Sequence, residues 1–174
     1  GLATHHVASA RITELEAALA AADLSDSAAS AIDAVLGDFS SDMEDAPLAA
    51  RQAEVDRCFA ADSVEGIFAN LAAEGTPWAE ETRATLLEKS PTSLKITFRQ
   101  LTQYGDLDFE AAMKVEYRMA IRCNFSHEFY EGIRAQIIDK DRQPKWVPGR
   151  LEDVGEDLIE SYFQPPVSGD MTFG

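Results

Sequence analysis

The 174-residue sequence is short of bases, histidine and cysteine, and it has no long apolar run. Fifteen bases stand against 31 acids, a net charge of -16. A field of that sign repels polyphosphate, so nucleic acid is not an expected partner. The two cysteines, Cys58 and Cys123, lie far apart and fit neither a metal nor a redox spacing; they are expected to be reduced and mostly buried. The three histidines, His5, His6 and His127, belong to no HExxH or Cys/His cluster and are expected to be ordinary loop or surface residues, with no metal site. No apolar stretch approaches the roughly 18 residues needed to span a membrane. The N-terminal GLATHHVASAR lacks the apolar centre of a signal peptide, so a cytoplasmic or organelle-matrix setting is expected. There is no GxSxG elbow and no glycine-rich phosphate loop. Ser90 and Ser93 are explained as caps, and carboxylate pairs are too common in so acidic a chain to mark an acid–base couple. No catalytic residue emerges.

Hydrophobic residues make up 45% of the chain, which excludes disorder along its length. A chain of this size buries roughly 70% of its unfolded surface, enough for a single helical domain over 1–174. The spacing predicts helices almost throughout. Ile12, Leu15, Leu19 and Ala22 share a face over 9–22, with Ser9 or Thr13 as cap and Glu16 three residues after Thr13. Asp26 or Ser27 starts a helix over 26–38, and the acidic stretch 38–46 reads as a loop. Helices follow at about 48–60 and 63–73. Thr76-Pro77 and Ser90-Pro91 then place a hydroxyl at an N-cap and a proline at the first helical position. The first of these helices should run to Lys89. The second carries Leu94, Phe98 and Leu101 on one face and stops near Gly105.

Asp106 or Asp108 caps a helix over 108–123 with a predicted buried stripe of Phe109, Met113, Tyr117 and Ala120. Ser126 opens another, with Phe129, Ile133 and Ile137 four apart. The stretch 139–150 is a loop broken by two prolines and a glycine, and 151–163 places Leu151, Val154, Leu158 and Tyr162 on one face. No strand alternation persists, and the β-leaning LKITF at 94–98 sits inside a well-capped helical pattern. The expected fold class is all-α, with about seven or eight helices.

Charge is unevenly spread. Residues 1–94 carry -12 and residues 151–174 carry -6, but residues 95–150 carry +2. Lys140, Arg142, Lys145 and Arg150 gather within the loop, with Trp146 among them. One reading is an anion contact, with cations for phosphates and an aromatic for a base or a pantetheine arm. The other is a structural loop neutralised by Asp139, Asp141 and nearby acids.

The segments SPTSLKITFRQL at 90–101, EYRMAIRC at 116–123 and FYEGIRAQIIDKDRQPKW at 129–146, with LEDV and YF beyond them, resemble the C-terminal part of 3-hydroxyisobutyryl-CoA hydrolases. These belong to the enoyl-CoA hydratase/isomerase (crotonase) superfamily. GLATHHV at 1–7 is similar to a segment that follows the family's catalytic core, and VEGIFANLAAEGTPWAEETRATL also fits. The resemblance covers nearly the whole chain, most strongly 90–146 and least 20–60. It implies a C-terminal region of an acyl-CoA thioester hydrolase of valine catabolism. The oxyanion hole and catalytic acids would lie in an N-terminal crotonase core that is missing here. No family catalytic residue maps onto the chain, so residues 1–174 alone are expected to be inactive.

The resemblance also implies partners: acyl-CoA as substrate, the crotonase core, and contacts between copies of the chain. No cofactor is implied beyond the coenzyme A of the substrate. In related hydratases a lysine after the EGxxA helix lies near the CoA phosphates. Here EGIRA at 131–135 is followed by DKDR, offset by about one residue, so the matching cation is Lys140 or Arg142. Lys140, Arg142 and Lys145 are the candidate CoA contacts. The alternatives are the corresponding region of an enoyl-CoA hydratase or isomerase, and a stand-alone helical interaction module. The sequence upstream of GLATH would discriminate among them.

Overall fold

Side-chain caps start most of the helices. Ser27, Ser63, Thr76, Ser90, Asp108 and Ser126 each accept a hydrogen bond from a backbone N–H three residues on, satisfying a donor the helix itself leaves free. The computed structural model describes residues 4–25, 27–41 and 48–173. The Asp26 cap, residues 1–3 of GLATHHV and most of the acidic loop at 38–46 lie outside the described residues. The helices are α1 (Ile12–Ala21), α2 (Ala28–Phe39), α3 (Gln52–Phe59), α4 (Val64–Glu74), α5 (Pro77–Leu87), α6 (Pro91–Gln103), α7 (Phe109–Asn124), α8 (His127–Ile133) and α9 (Glu156–Ser161). Among the described residues there is no strand, and LKITF lies within α6. The chain is all-α, as its periodicity predicts.

Three local expectations are corrected. Neither Ser9 nor Thr13 caps α1: a 3-10 turn, Ser9–Arg11, runs straight into the helix, and its backbone already supplies Ser9 O to Ile12 N–H. The helix after Ser126 does not stay α to Ile138, because Arg134–Ile138 is a π turn. The segment 151–163 is split. A 3-10 turn at Leu151–Asp153 is separated from α9 by Val154 and Gly155, both with extended backbone.

The chain divides into two compact units, Gly1–Gln52 and Ala53–Gly174. In the first, α1 packs on α2 and buries Leu15. Arg11 lies over the Phe39 ring at 4.3 Å. Ser41 N–H donates to His6 O at 2.9 Å, and the two side chains meet at 3.1 Å, so His6 has a structural role.

The second unit is built around α6. Ile96 joins Val115, Met119, Val154, Ile159, Tyr162 and Phe163 in one buried cluster. Phe98 flanks the other, formed by Cys58, Ile67, Leu71 and Ala79. Polar residues of α6 reach the same neighbours. Lys95 Nζ bonds Glu65 at 2.7 Å and Val154 O at 3.4 Å, and buried Arg99 pairs with Glu156 and Glu160. Cys58 is buried and Cys123 half-buried, both free thiols, and burial pushes both above the usual thiol range.

Several predicted stripes face elsewhere. On α7 the buried side chains are Val115 and Met119, while Phe109 is 74% exposed. Both sets recur at helical spacing, and the position of α6 and the 154–163 segment decides which one is covered. On α8 Glu128, Glu131 and, beyond it, Ala135 are buried, while Phe129 and Ile137 are exposed. The carboxylates go inward because polar partners wait there. Leu94, Phe98 and Leu101 of α6 line an open groove of about 610 Å³ with Phe59, Val64, Ile67 and Leu86.

Glu128 is the clearest cost in this interior. Ser90 Oγ donates to its Oε2 at 2.7 Å, but Oε1 and the nearby Thr92 Oγ1 are buried with no partner among the described residues. Burial pushes the carboxyl above its ordinary 4.5, with the Ser90 bond acting the other way. A raised carboxyl favours the folded state in its protonated form, so the penalty appears as pH rises through 4.5 and beyond. Glu128→Gln keeps an acceptor for Ser90 and removes the charge. It is expected to raise Tm at neutral pH by an amount that fades once the pH drops below that value. Thermal melts across the range check this, and a lower Tm at neutral pH would contradict it.

Candidate functional site

The loop that leaves α8 is shaped by a single guanidinium. Glu131 and Arg134 stand one helical turn apart, the i,i+3 spacing that lets side chains meet. Arg134 Nε and Nη2 donate to the two Glu131 oxygens at 2.9 and 2.8 Å. Glu131 Oε1 also accepts Lys145 N–H at 2.7 Å from across the loop. Arg134 Nη1 reaches both Asp139 and Asp141 at 2.7 Å, and Nη2 adds a bond to Gln143 O at 3.1 Å.

The backbone between these groups is unusual. In the π turn at Arg134–Ile138, Asp139 N–H bonds Arg134 O at 2.8 Å. Such a turn holds one residue more than an α turn. Arg142 N–H then returns to Ala135 O at 3.0 Å. Lys140 and Arg142 both have φ of 56°, the left-handed region, which costs a side-chain-bearing residue about 1–2 kcal/mol.

The far end of the loop is tied down by Trp146, whose indole N–H donates to Glu88 O at 3.0 Å. The indole N–H is therefore spent on anchoring. His127 Nε2 lies 3.4 Å from Lys145 O and His127 is exposed, in keeping with an ordinary surface histidine. The structure thus carries Lys140, Arg142 and Lys145 on one loop. All three are exposed, and none has an ion pair among the described residues. Arg150, the fourth base of the stretch, pairs with Glu152. Asp139 and Asp141 are taken up by Arg134 and not by the loop's own cations.

Glu131 and Asp141 are held in their charged form. Arg134, and then the Lys145 N–H, bring the Glu131 carboxyl from 4.5 down to about 2. Asp141 is lowered by Arg134 and by the Gln143 N–H. Arg134 is itself raised, first by Glu131. Among the described residues no group of three or more histidines, cysteines or acids is arranged to hold a metal ion. The sequence reading found the cations and missed Glu131 and Arg134, although the i,i+3 pair in EGIR was a usable signal.

Comparison with known proteins places this geometry in context. A family model described as enoyl-CoA hydratase/isomerase matches residues 1–163. The chain is 38% identical over 178 aligned positions to the mitochondrial 3-hydroxyisobutyryl-CoA hydrolase of Mus musculus, covering 99% of this chain and 46% of that protein. Against the same enzyme of Danio rerio it is 39% identical, covering 94% of this chain and 44% of that one. Among solved structures, a carnitinyl-CoA dehydratase from Mycobacterium thermoresistibile superimposes with a TM-score of 0.77 at 31% identity, and an enoyl-CoA hydratase from Rhodobacter sphaeroides with 0.71 at 33%. Each covers 96% of this chain and 46% of the other. The chain therefore spans a little under half the length of these relatives.

A carboxyl held below its ordinary value contributes stability that is complete above about 4.5 and is lost as pH falls through about 2. Glu131→Gln is expected to lower Tm at neutral pH, and its deficit against the unsubstituted chain should shrink as the pH is taken down through that window. Paired thermal melts measure it. A deficit that stays constant with pH would show that the charge is not what matters.

Proposed function

This chain belongs to the enoyl-CoA hydratase/isomerase family, and we propose that it is the helical region of a 3-hydroxyisobutyryl-CoA hydrolase-like enzyme, whose 139–146 loop contacts the phosphates of acyl-CoA. The observation that carries the reading is the set of three exposed cations, Lys140, Arg142 and Lys145, with no ion pair among the described residues, in a chain of net charge -16. Acyl-CoA brings several phosphate charges, and exposed cations not tied up in ion pairs favour both its encounter and its binding. Lys140 offers a compact charge and Arg142 a planar fork suited to two phosphate oxygens. The whole enzyme would add water across a short acyl thioester, cleaving the carbon–sulfur bond to give a carboxylate and free coenzyme A. The groups that polarise the carbonyl and activate water would lie in the rest of the protein.

The apolar groove beside α6 supports a second part of the reading. Leu101 is 72% exposed at its edge, and so large an apolar surface calls for a covering partner. The crotonase half, or a second copy of the chain, would provide it. A hydratase or dehydratase activity is the alternative, supported by the two superimposed structures at lower identity than the Mus musculus hydrolase.

Two outcomes are expected. Residues 1–174 alone should release no thiol from 3-hydroxyisobutyryl-CoA above background, and release proportional to chain concentration would refute the assignment of the chemistry elsewhere. In the full-length protein, Lys140→Ala/Arg142→Ala should raise KM for acyl-CoA and leave kcat nearly intact, because these groups hold the handle and not the reacting carbonyl. A lost phosphate contact is worth on the order of 1–2 kcal/mol, an effect that should weaken with salt. A thioester without the nucleotide should not respond to the change. An unchanged KM for acyl-CoA at low salt would leave the loop as structure alone.

A further inference from the structure

A guanidinium has five N–H donors, and Arg134 spends all five within its own loop. Nε and one Nη2 hydrogen go to Glu131, the other Nη2 hydrogen to Gln143 O, and the two Nη1 hydrogens to Asp139 and Asp141. Its partners span the end of α8 and both sides of the turn. Nothing is left over for a ligand, so Arg134 itself is no phosphate contact.

The sequence DKDR alternates acids that Arg134 binds with cations that it leaves alone. Lys140 stands between the two aspartates and Arg142 after the second, both in left-handed backbone and both exposed. The aspartates thus do two things at once. They put negative charge beside the candidate phosphate site, which alone would repel acyl-CoA. They also give Arg134 the two anchors that fix the turn. Asp141 reinforces this by accepting Gln143 N–H at 2.8 Å.

The geometry assigns Arg134, with Asp139 and Asp141, as a clamp that positions Lys140 and Arg142 for the phosphates of acyl-CoA, an assignment that rests on the proposed acyl-CoA contact of this loop. Arg134 is a positioning residue, acting through the two cations. A turn of unfavourable backbone would relax without it, and the cations would then sample many placements.

The clamp gives a sign opposite to simple electrostatics, which makes it testable in the full-length protein. Removing two carboxylates beside a polyanion site should tighten binding if the aspartates merely repel. If they anchor the turn, binding should weaken. Asp139→Ala/Asp141→Ala touches only exposed side chains and leaves the Glu131–Arg134 pair in place, so the fold should persist. The expected result is a KM for acyl-CoA raised about fivefold with kcat unchanged, and no change for a thioester lacking the nucleotide. Combining it with Lys140→Ala/Arg142→Ala should add little, since both act on the same contact. Arg134→Lys keeps the charge with only three donors, and should raise KM in the same selective way.

A lowered or unchanged KM for Asp139→Ala/Asp141→Ala overturns the clamp, as does an equal loss for both substrates. The control separates the two readings. If Lys140→Ala/Arg142→Ala raises KM and the aspartate variant does not, only the clamp fails. If the cation variant itself leaves KM unmoved, the acyl-CoA contact fails and the clamp falls with it.

Discussion

The helix that leads into the basic loop and the far end of the loop are both tied to the short junction between α5 and α6, and the candidate site is positioned through those ties. Glu128 of α8 accepts from Ser90, the cap of α6, and Trp146 at the far end of the loop donates to Glu88 O. Ser90 at the same time accepts Ser93 N–H to start α6. One serine therefore starts the central helix of the second unit and fixes the helix that carries the loop. Because α6 also contributes Ile96 to one buried cluster and flanks the other with Phe98, the loop is referenced to both clusters of the second unit through this helix.

The polar side of α8 follows from the same arrangement. An amphipathic helix normally buries its apolar stripe. Here two carboxylates are buried, each with a specific donor, while Phe129 and Ile137 are left outside. Burying a carboxylate is costly unless it is paired, and the two differ in how completely that is met. Glu131 has a guanidinium and a backbone N–H, and its carboxyl falls; Glu128 has one hydroxyl, and its carboxyl rises. The better-satisfied acid is the one that shapes the loop.

Charge sorting links this local structure to the proposed role. The segment 131–145 holds four bases and three acids, close to balance by composition. Pairing is not distributed evenly. Arg134 gathers all three acids, and the remaining three bases are left without an ion pair among the described residues. A nearly neutral segment thus presents three exposed cations, within a family whose members include a 3-hydroxyisobutyryl-CoA hydrolase and a carnitinyl-CoA dehydratase.

The sequence by itself determined the helices and most of their starts. Ser63, Thr76, Ser90 and Ser126 stand at helix starts, and Ser27 and Asp108 are each one of two adjacent or near candidates; caps are local chemistry that needs no distant partner. It also marked Lys140, Arg142 and Lys145, because bases clustered in an acidic chain stand out by composition. Which stripe of α7 is buried, and that α8 turns its glutamates inward, only the tertiary structure decided. Phe109, Met113 and Tyr117 have the same periodicity as Val115 and Met119, and periodicity cannot say where the neighbouring helices lie. The balance of charge in DKDR was likewise undecided in sequence, where each aspartate is next to a cation. The π turn and the reach of Arg134 bring those aspartates to a guanidinium five and seven residues away, and separation in space, not along the chain, sets which charges cancel.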